Sequence, residues 1–156
     1  MHQAYNVLGT PLLPCSRPGM ALTGYTRDGK CTDHKDDTGS HHVCLKMHEA
    51  PEDLCKLTKQ SDWCSQLQPC QSAPATRCPI QNWCICQWAF DHALTRLQQE
   101  SKTTDDACKA LPIDCHATNR EALKAYDHYS QTAPDPSSRV KARNAASCIR
   151  RQCGIR

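Results

Sequence analysis

The chain has 156 residues, 38% of them hydrophobic and only 5% aromatic, with 13 cysteines and a net charge of +3. This points to one domain with appendages and a core thin enough to need covalent staples. It excludes a membrane-spanning protein, because no run approaches the roughly 18 consecutive apolar residues of a span.

Thirteen cysteines read as a disulfide framework, and their odd number leaves at least one thiol free, ligating, or paired with another chain. Met1 to Asn6 carry neither the basic region nor the apolar run of a secretory signal. Disulfides without that signal are unexpected in an ordinary cytosol. A removed presequence, reduced or metal-bound cysteines, or oxidative trapping in the mitochondrial intermembrane space would each explain them. The third is preferred for a eukaryotic source, with the cytoplasm as the alternative.

Residues 6–30 are rich in turn formers, and Thr23 to Cys31 reads as a strand ending in an Asp28-Gly29 turn. After a polar loop, Val43, Leu45 and Met47 alternate with His42, Cys44 and Lys46, the pattern of a half-buried strand. Pro51, Glu52 and Asp53 open a short helix carrying Leu54 and Leu57. Residues 59–81 lack periodicity but hold Cys64, Cys70 and Cys78, so this long loop is read as stapled.

The strongest stripe follows. Cys86, Phe90, Ala93, Leu94 and Leu97 share one helical face, in a helix that opens with the Cys84-Ile85-Cys86 pair. A polar linker at 99–107 leads to a short strand, Leu111 to Cys115. Thr118 and Glu121 form a capping box for a helix with Ala122, Ala125, Tyr126 and Tyr129 toward the core. A Pro/Ser linker at 130–138 precedes a helix over 140–152 with a seam of Ala142, Ala145, Ala146, Ile149 and Cys153, stopped by Gly154. From Arg139 onward there are six basic residues and no acid, so the remaining thirteen basic and sixteen acidic groups leave the first 138 residues at −3. This last helix is too weakly apolar to stand alone. Either disulfides through Cys148 and Cys153 or a partner must hold it, and those two cannot readily bond each other within one helix.

The run Asn6 to Leu12 followed by Pro14-Cys15-Ser16 resembles the opening of a family known only as domain of unknown function 2237. The likeness continues through Thr23-Gly24-Tyr25, Arg27-Asp28-Gly29, Cys31 and Asp37 to Cys44. It resumes at Trp83 to Cys86 and, loosely, at Pro112 to Leu123. Members of that family normally carry a Gly-Asn-Asp stretch and a Phe-Pro-Gly stretch before the Trp-Cys-x-Cys; residues 56–81 hold neither. Cys15, Cys31, Cys44, Cys84 and Cys86 match family positions, whereas Cys55, Cys64, Cys70, Cys78, Cys108, Cys115, Cys148 and Cys153 are additions. An even number of additions is consistent with up to four extra disulfides over a core with an odd count.

Two chemical readings compete with purely structural cysteines. His41, Cys44, Cys84 and Cys86 are a candidate zinc set, although no Cys-x-x-Cys knuckle is present. Cys84 near a helix start, with His41 as base, is a candidate nucleophile without a recognisable third member. Asp36-Asp37 could bind a cation, with a solvated turn as the default, and His41-His42 reads by default as a solvated strand edge. The basic tail lacks interleaved aromatics, so no nucleic acid is expected; Arg139, Arg143, Ala146, Ile149 and Arg150 are its partner-binding candidates, toward protein subunits or anionic lipid headgroups.

The sequence thus predicts an α+β domain over 1–130 and a linker with a basic helix over 131–156. The expected role is a non-catalytic accessory subunit of a larger, mitochondrial membrane complex without a cofactor. The alternative is a zinc-binding or cysteine-dependent enzyme.

Overall fold

The computed structural model describes residues 3–100 and 103–156. In chain order its elements are β1 (Val43–Lys46), α1 (Leu54–Leu57), β2 (Leu67–Pro69), β3 (Arg77–Pro79), β4 (Asn82–Ile85), α2 (Gln87–Gln99), α3 (Thr104–Lys109), α4 (Glu121–Thr132) and α5 (Pro136–Cys153). The fold is α+β, with two short antiparallel pairs, β1 with β4 and β2 with β3.

Strand β1 follows its apolar run and β4 the Trp83-Cys84-Ile85 run, with Cys44 opposite Cys84 and Leu45 opposite Trp83. Both faces of this ribbon are covered: Val43, Cys44 and Leu45 are fully buried, and every residue of β4 is at most 9% exposed. The alternation in β1 therefore marks a strand but not a half-exposed one. The Cys-x-Cys pair belongs to β4 and the junction after it, so α2 starts at Gln87 rather than before it.

The α2 stripe forms the core as its periodicity predicts. Phe90, Ala93, Leu94 and Leu97 are 0–1% exposed, and full burial of each larger side chain is worth about 1.5–3 kcal/mol. Tyr126 of α4 and Ile149 of α5 join them, and the Tyr126 hydroxyl donates to the Gln87 carbonyl. Helix α5 begins at Pro136, where the Asp135 side chain accepts from the Ser138 amide at 2.8 Å. It ends where Gly154 takes the left-handed conformation at φ 63°. Its seam of Ala142, Ala145, Ala146 and Ile149 is buried against α4 and α2.

Several local readings are corrected. Thr23 to Cys31 is a series of turns, not a strand, with positive φ at Gly24, Arg27 and Gly29. The 59–81 segment contains the β2–β3 hairpin. The linker at 99–107 includes the start of α3, where the Thr103 hydroxyl accepts from the Asp106 amide at 3.0 Å; its residues 101–102 lie outside the described ones. Leu111 to Cys115 makes only one bridge, between Ile113 and Leu45. The capping box does not form: Thr118 donates to the Asp114 carbonyl, and the Asn119 side chain accepts from the Glu121 amide at 2.9 Å. Asn119, one residue closer to the helix, has the better reach.

Candidate functional site

Twelve cysteines form six disulfides: Cys15–Cys44, Cys31–Cys84, Cys55–Cys64, Cys70–Cys78, Cys108–Cys148 and Cys115–Cys153. Cys15, Cys31, Cys44 and Cys84 pair only with one another, and so do the eight cysteines at 55, 64, 70, 78, 108, 115, 148 and 153. The sulfurs of Cys15, Cys31 and Cys44 lie within 4.8 Å of one another, so the first two bridges form a buried knot beneath the β1–β4 ribbon, capped by Ala117. The two bridges to α5 are the covalent support that its weak apolar seam calls for. Cys86 is the one cysteine left as a thiol.

Cys86 is half-buried at the N-terminus of α2, where β4 hands over to the helix. It lines a cavity of about 150 Å³ together with His41, Leu54, Gln60, Trp63, Trp83, Cys84, Ile85 and Ala89. Gln60 and Trp63 come from the 59–81 segment, and Trp63 packs on Trp83 at 6.2 Å between ring centroids. Burial pushes the Cys86 thiol above its ordinary range. The Ala89 and Trp88 amides favour the thiolate but do not outweigh burial and the charges of Asp91 and Asp37.

His41, another of the residues lining this cavity, is half of a dyad with Asp37. Its Nδ1 lies 2.7 Å from Asp37 Oδ1, and its backbone amide donates to Asp37 Oδ2 at 2.9 Å. The Asp37 side chain is only 1% exposed. Burial alone would raise its pKa, but the two hydrogen bonds from His41 and the nearby His41 and His42 rings hold it below the usual carboxylate range. The loop is shaped for this contact. Ser40 adopts φ 50°, its carbonyl accepts from the Gln87 amide at 3.0 Å, and a Cβ on Gly39 would sit 2.6 Å from His41 Cε1. A side chain at 39 would meet the imidazole where it now sits, so the constraint on this position comes from the His41 ring and not from the backbone.

The structure separates residues that the sequence reading grouped. Cys84 is 2% exposed and bonded to Cys31, so the nucleophile reading fails at Cys84, and the free thiol that lines this cavity is Cys86. Of the zinc set, Cys44 and Cys84 have their sulfurs in disulfides and offer no thiolate in this state. His42 is buried, bridging Gln87 Oε1 at 2.8 Å and Asp33 Oδ1 at 3.0 Å, so it is neither a solvated edge nor in the cavity. Asp37, read as part of a solvated turn, is the buried orienter. Its only sequence signal is the four-residue step to His41.

The tail candidates also divide. Ala146 and Ile149 are buried within the chain, and Arg150 holds Asp127 in a two-pronged pair at 2.6 and 3.0 Å. Arg139 donates to the Ala133 carbonyl at 2.7 Å, and Arg143 is exposed. The seam therefore faces the molecule itself. One feature escaped the sequence reading altogether: a cavity of about 390 Å³ lined by Trp88, Asp91, Tyr129, Ser138 and Lys141. Burial there pushes the Asp91 carboxyl up to about 7, against the opposing pull of Lys141.

No helix among the described residues is long and apolar enough to cross a membrane. No curated protein matches the chain. The cysteine knot, the His41-bearing loop and the β4–α2 junction all lie within residues 5–131, which match the model of an uncharacterised protein family conserved in bacteria, and the chain belongs to that family, domain of unknown function 2237.

Proposed function

We propose that the chain is a non-catalytic accessory subunit of a larger protein complex, a mitochondrial membrane assembly, facing the intermembrane-space side. One observation carries this reading: the segments that depart from the family, or extend beyond it, are fixed covalently. Cys55–Cys64 and Cys70–Cys78 staple the altered segment between β1 and β4, and Cys108–Cys148 with Cys115–Cys153 bolt α5 to the domain. Four added bridges make surfaces rigid, which favours docking because less freedom is lost on association. They supply no reacting group.

The exposed chemistry supports the same role. Of the four exposed large hydrophobic side chains among the described residues, Leu67 on β2 and Val140 on α5 belong to these stapled additions. Val140 is flanked by Arg139 and by the exposed Arg143 on the basic helix, a patch suited to an acidic protein subunit. Six bridges fit an oxidising compartment.

The test is native isolation of the tagged full chain from its source in mild detergent. Comigration with a large complex, lost in a Val140→Asp/Arg143→Glu variant that keeps its thermal transition, is the expected result. Migration as a monomer overturns the reading. Retention of the unchanged chain on anionic vesicles, without protein partners, would assign the patch to lipid instead. Protease protection of isolated organelles tests the compartment separately.

A further inference from the structure

We propose that Cys15, Cys31, Cys44 and Cys84 hold one zinc ion in the reduced chain, and that the two buried bridges replace the ion when these four thiolates are oxidised. Four sulfurs from four separate segments meet at one place. The sulfurs of Cys15, Cys31 and Cys44 lie within 4.8 Å of one another. Cys84 supplies the fourth: its sulfur is bonded to that of Cys31, and it stands opposite Cys44 in the β1–β4 ribbon. Residues directly opposite in an antiparallel pair share a face, and Cys15 and Cys31 reach that face from the chain before β1.

Four thiolates around a single point are the donor set of a closed, structural zinc site. With Zn–S bonds of about 2.3 Å, sulfurs at the corners of a tetrahedron stand about 3.8 Å apart. Opening a bridge to that spacing moves each of its sulfurs by roughly 1 Å, so the backbone that positions the bridges also positions the ligands. That backbone is held without the sulfurs. The Cys44 amide donates to the Thr118 hydroxyl at 3.1 Å and the Cys84 amide to the Thr23 hydroxyl at 2.9 Å. The Cys15 amide donates to the Gly29 carbonyl at 2.7 Å, and the Cys31 carbonyl accepts from the Asn119 side chain at 3.0 Å. All four cysteines are 0–2% exposed, so water does not compete for the ion. The other close grouping of ligand atoms among the described residues, Asp53, Cys55 and Cys64, has only two sulfurs and a carboxylate.

The thiol state needs no special event, because every chain is synthesised with its cysteines as thiols. Zinc binding displaces the four thiol protons. Oxidation then balances with two equivalents of a small-molecule disulfide as the oxidant. For each bridge, one cysteine thiolate attacks the incoming S–S bond and releases a first thiolate, and the partner cysteine displaces the second. Two incoming S–S bonds break as Cys15–Cys44 and Cys31–Cys84 form, and four electrons pass to the oxidant. Its four leaving thiolates take up protons from solvent, and the zinc departs because bridged sulfurs no longer carry the charge that held it. The ion thus ties the ribbon to the preceding loops until the bridges do. This role does not depend on the accessory function; a chain that docks on no complex would still carry it.

The test reduces the full chain with a phosphine in denaturant, refolds it without oxygen beside zinc, and removes loose metal by gel filtration. One zinc per chain should remain. N-ethylmaleimide should then modify Cys15, Cys31, Cys44 and Cys84 at least about tenfold more slowly than the other nine cysteines, a small part of what a structural zinc affinity allows. Cys84→Ser should lose the retained zinc, and Cys55→Ser/Cys64→Ser should keep it. Cobalt(II) in place of zinc should give the absorption of a tetrahedral tetrathiolate, weakened in sulfur-to-metal charge transfer by Cys84→Ser, which reads coordination rather than fold. Added oxidised glutathione should release the zinc as Cys15–Cys44 and Cys31–Cys84 appear in the non-reducing peptide map. No retained zinc, protection spread over other cysteines, undiminished zinc in Cys84→Ser, or closure of both bridges with the ion still bound overturns the proposal.

Discussion

The two bridges that hold α5 should be worth more together than the sum of their separate removals. Cys108–Cys148 spans 40 residues and Cys115–Cys153 spans 38. Taken alone, closing such a loop in the unfolded chain corresponds to about 4 kcal/mol. When the other bridge is present, the two ends are already tied through the short steps 108–115 and 148–153. That path is roughly a dozen residues, and closing it corresponds to about 3 kcal/mol. Cys108→Ala/Cys148→Ala should therefore cost about 3 kcal/mol, as should the matching pair at 115 and 153. Replacing all four should cost about 7 kcal/mol, an excess of about 1 kcal/mol over additivity. Urea unfolding under non-reducing conditions gives all four corners of this cycle, with a rise in m expected as the unfolded chain expands. A four-fold variant that loses no more than either double variant would refute the idea that these bridges act through the unfolded chain.

Three other outcomes follow from the geometry. Asp91 has a folded pKa of about 7 against an ordinary 3.8, so the neutral acid is the form the fold favours. Its contribution is complete below pH 4 and is lost as pH rises through 7. Asp91→Asn should be neutral at pH 4 and stabilising at pH 8, on the order of 1–3 kcal/mol after allowance for partial solvent access; a pH-independent difference in thermal stability would contradict this. Gly39→Ala places a Cβ 2.6 Å from His41 Cε1 and should displace the ring, at a cost of about 1–3 kcal/mol. Loss of the slowly exchanging His41 Nδ1–H signal in NMR is the check, and an unshifted imidazole counts against it. The Gln152 side chain donates to the Cys108 and Leu111 carbonyls at 3.0 and 2.9 Å and accepts from the Ile113 amide at 3.0 Å. Gln152→Ala should cost about 1–3 kcal/mol in chemical unfolding, and a loss below about 0.5 kcal/mol would show that water replaces these bonds.

Legibility in the sequence followed the strength of the local signal. Phe90, Ala93, Leu94 and Leu97 announce their face because helical spacing and burial coincide. Gly154 announces a stop for an equally local reason. Helix α3 was missed because its six residues bury only Ala107 and Cys108, too few to produce a period. Asp37 was missed because an acid in a run of Asp, Thr, Gly and Ser reads as a turn, whereas in the fold it is buried and bound to His41. Cysteine pairing was the least legible part. The odd count foretold an unpaired thiol, but choosing Cys86 over Cys84 depends on a two-residue step that moves one side chain from the ribbon into the helix junction. The division into family and added bridges was readable only as parity.

The bridges also determine which cuts the molecule survives as one covalent object. Cys15–Cys44 and Cys31–Cys84 overlap in sequence, so any single break from 15 to 84 leaves the pieces linked. Cys108–Cys148 and Cys115–Cys153 do the same from 108 to 153. Between Cys84 and Cys108 no bridge crosses. Covalently the protein is two cross-linked rings on one unprotected tether, and that tether includes α2, whose buried face joins the ribbon to α4 and α5. A segment that carries Phe90, Leu94 and Leu97 into the core is therefore the only one where one hydrolysed peptide bond separates the molecule into two bridged halves.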